Sequence, residues 1–127
     1  MPKKKRPPIL EGKTYKIKTQ CGNLFLRINR DESGDIIEIM AQMGKAGNCA
    51  NAWMEGLCCV WSEAFKFDGM TKEEKQDIVK QVIGIHCPEN FTWEGEKYKS
   101  CVDAMGRTIL KEIDDGATRV HGKNTKA

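Results

Sequence analysis

A chain of 127 residues with 39% apolar and 31% charged content can bury one modest core but cannot hold a large catalytic barrel. No apolar run approaches the roughly 18–20 residues of a membrane span, and none follows the basic N-terminus as in a secretory leader, so no membrane contact and a cytoplasmic location are expected. The 21 basic and 18 acidic residues mislead as a total: residues 1–7 carry +4, residues 116–127 carry +3, and the stretch between holds all 18 acids against 14 bases, a net of −4. A basic domain face for nucleic acid is not expected, and polyanions should be met only weakly, through the tails.

Pro2-Lys3-Lys4-Lys5-Arg6-Pro7-Pro8 fits a disordered hinge and also a nuclear-import pattern; the hinge is favoured because short basic matches arise often by chance. Residues 1–8 are therefore expected to be a flexible tail, residues 9–115 one domain, and residues 116–127, which lack apolar periodicity, a second flexible tail. Tyr15 and Ile17 suggest a short strand. Leu24, Leu26 and Ile28 alternate with Phe25, Arg27 and Asn29 as in a half-buried strand, and after the turn at Ser33-Gly34-Asp35 residues 36–42 return antiparallel. From about 50 to 67, Trp53, Leu57, Val60, Trp61 and Ala64 recur at helical steps and are expected to face inward, with Cys58 and Cys59 on the same helix. Thr71-Lys72-Glu73-Glu74 is a capping box opening a second helix, with Ile78, Val79 and Val82 inward and Gly84 at its end. A third helix starts near Ser100 and carries Ala104, Met105, Ile109, Leu110 and Ile113. Strands followed by about three helices predict an α+β fold of two layers.

Four of the six cysteines, Cys21, Cys49, Cys87 and Cys101, sit in turn-like settings beside glycine, alanine, proline or serine, outside apolar periodic runs. Tight backbone of this kind lets four thiolates close tetrahedrally on Zn2+. Cys49 and Cys101 also fall at expected helix N-termini, where unpaired N–H groups favour a thiolate. No CxxC pair occurs, and the gaps match no zinc ribbon, so spacing alone leaves a metal site and a cluster of buried free thiols both open. His86, beside Cys87, is expected to be a bystander. The loop Gly44-Lys45-Ala46-Gly47-Asn48 has two readings as well. Gly44, Lys45, Gly47 and Asn48 before a helix have the makeup of an anion cradle, and the same residues make a tight turn delivering Cys49. His86 and His121 are not set against a nucleophile and an acid, so nothing in the chain argues for catalysis.

The runs Leu10-Glu11-Gly12-Lys13-Thr14-Tyr15-Lys16-Ile17-Lys18-Thr19-Gln20-Cys21-Gly22-Asn23-Leu24, Ala41-Gln42-Met43-Gly44-Lys45-Ala46-Gly47, Ile78-Val79-Lys80-Gln81-Val82-Ile83-Gly84-Ile85-His86-Cys87-Pro88 and Ser100-Cys101-Val102-Asp103-Ala104 follow one another in an order that resembles the TSCPD domain. That domain is the C-terminal module of many adenosylcobalamin-dependent (class II) ribonucleotide reductases and also occurs in small stand-alone proteins. The resemblance spans roughly residues 9–113; the eponymous Thr-Ser-Cys-Pro-Asp stands here as Lys99-Ser100-Cys101-Val102-Asp103. It implies zinc held by Cys21, Cys49, Cys87 and Cys101 as a staple of the fold, and a non-catalytic accessory role beside a ribonucleotide reductase catalytic subunit in deoxynucleotide metabolism. Two other functions follow less directly: sequestering a nucleotide or phosphate ligand at the Gly44–Asn48 loop, and delivering thiol reducing equivalents to a reductase. Homo-oligomerisation is left open. Deleting both tails is expected to leave folding and metal content unchanged.

Overall fold

Period-two alternation builds the first half of the domain. The structure, a computed structural model, describes residues 2–43, 49–88 and 90–126, with side-chain surroundings described through residue 115. Strands β1 (Glu11–Thr19), β2 (Gly22–Arg30) and β3 (Ile36–Met43) form an antiparallel sheet in the order β1-β2-β3. A two-residue loop, Gln20-Cys21, joins β1 to β2, and Gly22 accepts a positive φ of 126° where the chain turns back. Leu24, Leu26 and Ile28 are buried while Phe25 stays 39% exposed, so one sheet face is packed and the other meets solvent, as the alternation predicts.

Helix α1 (Cys49–Phe65) lies against β3, but not by the face expected. Its buried residues are Met54, Cys58, Trp61, Ser62 and Phe65, whereas Trp53 is 80% and Val60 64% exposed. Two apolar stripes satisfy helical periodicity here, and they run one residue apart. The sheet takes the stripe at 54, 58, 61 and 65, whose steps of four, three and four hold one line along the helix.

Helix α2 (Lys72–Lys80) begins with the expected capping box: Thr71 accepts from the Glu74 N–H at 3.0 Å, and Glu74 accepts from the Thr71 N–H at 2.8 Å. Val79 and Val82 are buried against α3 (Cys101–Lys126). Gly106 makes that approach close, since a Cβ there would stand 2.6 Å from Val82 Cγ2. A second hairpin, β4 (Phe91–Trp93) and β5 (Glu96–Tyr98), was not anticipated. Its turn residues Glu94 and Gly95 both have positive φ, 51° and 81°, as a tight two-residue hairpin turn requires. The Phe91 and Tyr98 rings stack across it with centroids 5.6 Å apart. A continuous core joins Leu24, Leu26 and Ile28 to Trp61, Phe65, Tyr98, Met105 and Ile109. The fold is α+β: a three-stranded antiparallel sheet followed by three helices among the described residues.

Backbone is described at both ends of the chain. The N-terminal segment is strapped to the domain: Lys4 N–H donates to Lys66 O and Asp68 N–H to Pro2 O, each at 2.7 Å. Lys3 pairs with Glu63; Lys4 Nζ reaches Asp31 at 2.9 Å and Asp35 at 2.8 Å; Arg6 Nε reaches Glu38 at 2.7 Å. Prolines keep the segment extended, and acids supplied by β3, the β2–β3 turn and α1 fix its cations. At the other end α3 carries helical backbone through Lys126, where a loose tail is expected. No helix among the described residues is long and apolar enough to cross a membrane.

Glu112 of α3 lies fully inside. Glu112 is 1% exposed, and its carboxylate accepts from Arg30 at 2.8 Å, from Lys13 at 3.2 Å and from the Tyr15 hydroxyl. Burial alone would raise its carboxyl, but these donors outweigh burial and hold it below the ordinary range. Burial, with the same bond, pushes the Tyr15 hydroxyl up.

Candidate metal centre

The Ser-Cys-x-Asp stretch is a clamp that presents one thiol. Ser100 caps α3: its Oγ accepts from the Asp103 N–H at 3.0 Å and donates to Ile85 O at 2.5 Å. Asp103, fully buried, turns its carboxylate back and accepts from the Gly84 and Lys99 N–H groups, each at 2.9 Å, and from Arg107 Nε at 3.0 Å. Burial pushes the Asp103 carboxyl up, and the two backbone donors with Arg107 overcome it, so the acid is held below its ordinary value. One residue pair thus ties the end of the α2 turn, the end of β5 and the start of α3 together, leaving Cys101 as the first helical residue.

Two more cysteines are brought to this point. Cys87 is fastened to the same strand end, its N–H donating to Lys99 O at 3.0 Å and its Sγ lying 3.5 Å from that oxygen. Cys21 rides on the β1–β2 turn. Its N–H donates to Thr19 Oγ1 at 3.0 Å, Thr19 Oγ1 donates to Gly22 O at 2.8 Å, and Gln20 Nε2 donates to Asn90 O at 2.8 Å. Burial pushes the half-buried Cys101 thiol up; the Thr19 side chain pulls it back, and the nearby Cys21 and Cys87 thiols push it further up. A thiol whose neighbours are thiols is more readily ionised when a cation binds beside it.

Cys49 reaches the same end of the molecule by topology. Met43, the last residue of β3, lies opposite Leu24, and its N–H donates to Asn51 Oδ1 at 2.7 Å. The first turn of α1 therefore stands beside the end of β2 that carries Cys21. Cys49 is exposed there. Among the described residues, no three His, Cys, Asp or Glu side chains stand close enough together to hold a metal ion. The donors fit zinc in kind: four reduced cysteines at one end, two of them beginning helices.

The other sequence-derived candidates separate from this cluster. Gly44, Lys45, Gly47 and Asn48, the expected anion cradle, lie outside the described residues. His86 is exposed. Cys58 is 3% exposed in the core, its thiol pushed up to about 12 by burial and by Cys59, which is itself exposed. Sequence reasoning missed Thr19, Ser100 and Asp103 as supports. The signal for Asp103 was present, since a carboxylate three residues after a serine at a helix start is a capping arrangement.

No curated protein and no solved structure matches the chain. A family model described as TSCPD domain matches residues 1–113, which takes in the N-terminal strap, both hairpins, all four turn-placed cysteines and the first half of α3. The chain belongs to the TSCPD domain family.

Proposed function

We propose that this chain is a zinc-binding TSCPD-type module that serves adenosylcobalamin-dependent ribonucleotide reduction as a non-catalytic accessory. The metal part rests on the company of the half-buried Cys101 thiol, which begins a helix, lies near Cys21 and Cys87 and is supported by a fully hydrogen-bonded aspartate. Cys21, Cys49, Cys87 and Cys101 would hold the ion. Bound zinc would supply the positive charge that keeps these thiols ionised, and would cross-link the β1–β2 turn, the start of α1, the 84–88 loop and the start of α3. That is a structural role, and it gives a small domain a rigid end for docking.

The reductase link rests on family membership. It is tested by adding the purified chain to an adenosylcobalamin-dependent reductase and measuring turnover and co-elution, beside a control with the chain alone. The account expects no turnover from the chain alone, together with co-elution or altered turnover of the reductase. Turnover by the chain alone contradicts the non-catalytic assignment. Failure to co-elute and to change the rate contradicts the accessory one.

A further inference from the structure

Charge on the three-stranded sheet runs against the balance of the domain. Strands β1, β2 and β3 hold five bases, Lys13, Lys16, Lys18, Arg27 and Arg30, against two of the chain's 18 acids, Glu11 and Glu38. Lys13 and Arg30 belong to the packed side, where both meet Glu112. Glu11, opposite Arg30, shares their phase. On the solvent side Glu38 is held by Arg6. Lys16, Lys18 and Arg27 have no ion-pair partner among the described residues. Arg27 Nη1 donates instead to the neutral Thr14 Oγ1 at 2.8 Å. The net of −4 between the tails thus conceals one face whose cations lack acids.

An aromatic ring stands among those cations. The register places Lys16, Phe25 and Gln42 in one row across the sheet, and Thr14, Arg27 and Met40 in the next. Side chains of these rows share the solvent face, because successive residues of a strand alternate between faces. Phe25 is 39% and Met40 52% exposed, although Leu24, Leu26 and Ile39 beside them in the strands are buried. A phenyl ring left in water on a central strand adds little to the core. Lys18 follows Lys16 by two residues, about 7 Å along β1. Cations therefore flank the ring from β1, and from Arg27 on its own strand. The acids nearest this face, Glu38 and Glu55, lie at the opposite edge, along the cleft beside β3.

We infer that the solvent face of β1 and β2 binds single-stranded nucleic acid, with an unpaired base stacked on Phe25 and the flanking phosphates met by Lys16, Lys18 and Arg27. Every base has a π-face that an aromatic side chain can meet, and regularly spaced phosphates are the anions that such a set of cations attracts. A duplex hides its base faces within the stack and cannot use the ring. Glu55 repels phosphate at the β3 edge, so the strand should track along β1 and β2 and not across β3.

Fluorescence polarisation with the full chain tests this, using labelled oligothymidylate and oligouridylate about 12 nucleotides long, a DNA duplex of the same length and polyphosphate. Both single strands are expected to bind, since stacking and phosphate contact do not read the sugar. Duplex and polyphosphate should bind more weakly, through the basic tails alone. Phe25→Ala should weaken single-strand binding about tenfold and leave polyphosphate binding unchanged. Lys16→Ala with Lys18→Ala should lower the slope of log affinity against log salt by about 1.4, the share of two phosphates on a single strand. Photo-cross-linking of an iodouracil-substituted strand to the unsubstituted protein should mark Phe25. The inference is overturned if neither single strand binds, if Phe25→Ala keeps wild-type affinity, or if the double lysine variant keeps the wild-type salt slope. It is equally overturned if duplex or polyphosphate binds as tightly as the single strands, or if cross-links fall only in residues 1–7 and 116–127.

Discussion

The strap end and the cysteine end of this domain handle polar groups near the core in opposite ways. At the strap end the chain supplies its own counter-ions: Asp31 and Asp35 share Lys4, Glu38 has Arg6, and Glu63 has Lys3. At the cysteine end the leading influences on the Cys101 thiol are burial, one hydroxyl and two further thiols. The first end is complete within the chain and adds a modest, salt-sensitive hold. The second would, on the function proposed above, be completed by a bound zinc ion. Such a contrast sets a self-paired surface against the proposed ligand site, and substitutions at each end can break it.

The largest effect is expected at the cysteine end. Cys101→Ser, and likewise Cys21→Ser, Cys49→Ser or Cys87→Ser, should abolish stoichiometric zinc and lower the melting temperature of the zinc-loaded protein by the order of 10 °C, read by elemental analysis and calorimetry. The double variant Cys58→Ala with Cys59→Ala serves as the contrast. It should keep its zinc and lose only packing at position 58, about 1 kcal/mol. Loss of zinc there with the fold intact would move the site onto α1.

Next come the two carboxylates of α3. Glu112→Ala leaves Arg30 without its buried partner and should cost about 4 kcal/mol in urea unfolding. Asp103→Asn turns an NH2 group toward the Gly84 and Lys99 N–H donors and should cost about 2 kcal/mol, while also weakening zinc retention because Cys101 loses its clamp. Both carboxyls sit below their ordinary range in the folded chain. Their stabilisation is therefore fully present above the unfolded values of about 4, and it is lost as pH falls through the lower folded values. Stability measured from pH 6 down to pH 2 should drop less steeply in each variant than in the wild type. An unchanged slope would show that these acids do not govern acid unfolding.

The smallest effect belongs to the strap. In Lys4 partial burial works against the charge, but the pairs with Asp35 and Asp31 outweigh it and raise the pKa. Lys4→Ala should cost about 1 kcal/mol or less at low salt, and the difference should shrink in 1 M sodium chloride. Removing residues 1–7 should lower the melting temperature in the same salt-dependent way without changing zinc content. A strap deletion that costs zinc would join the two ends that this account keeps apart.

Much of this was legible in the sequence. The alternation at Leu24, Leu26 and Ile28 gave the sheet its buried face, and Thr71 with Glu74 marked the start of α2, because each is a local rule that tertiary packing did not override. The packed face of α1 was not legible, since the stripes through Trp53 and Met54 are equally periodic and only β3 chooses between them. The β4–β5 hairpin escaped because three-residue strands carry little periodicity, though the Glu94-Gly95 pair between Trp93 and Glu96 was a usable turn signal. The strap escaped because a run of lysines reads as solvated until the acids that meet it are placed in space. Of the proposed metal site, the residue types and their turn settings could be read, whereas the nearness of Cys21 and Cys87 to Cys101 depends on hairpin and helix packing far apart in sequence. Glu112 was also readable in principle, as a charged residue on the helical line of Met105 and Ile109.

The central claim is that the cysteine end is a zinc site. X-ray absorption at the zinc edge on purified, zinc-loaded protein tests it most directly, alongside a thiol count before and after chelation. The account expects about one zinc per chain, four sulfur neighbours at about 2.3 Å, and four thiols that become reactive only when the chelator removes the metal. A zinc shell of nitrogen and oxygen, or a chelated protein whose fold and melting temperature are unchanged, would contradict it.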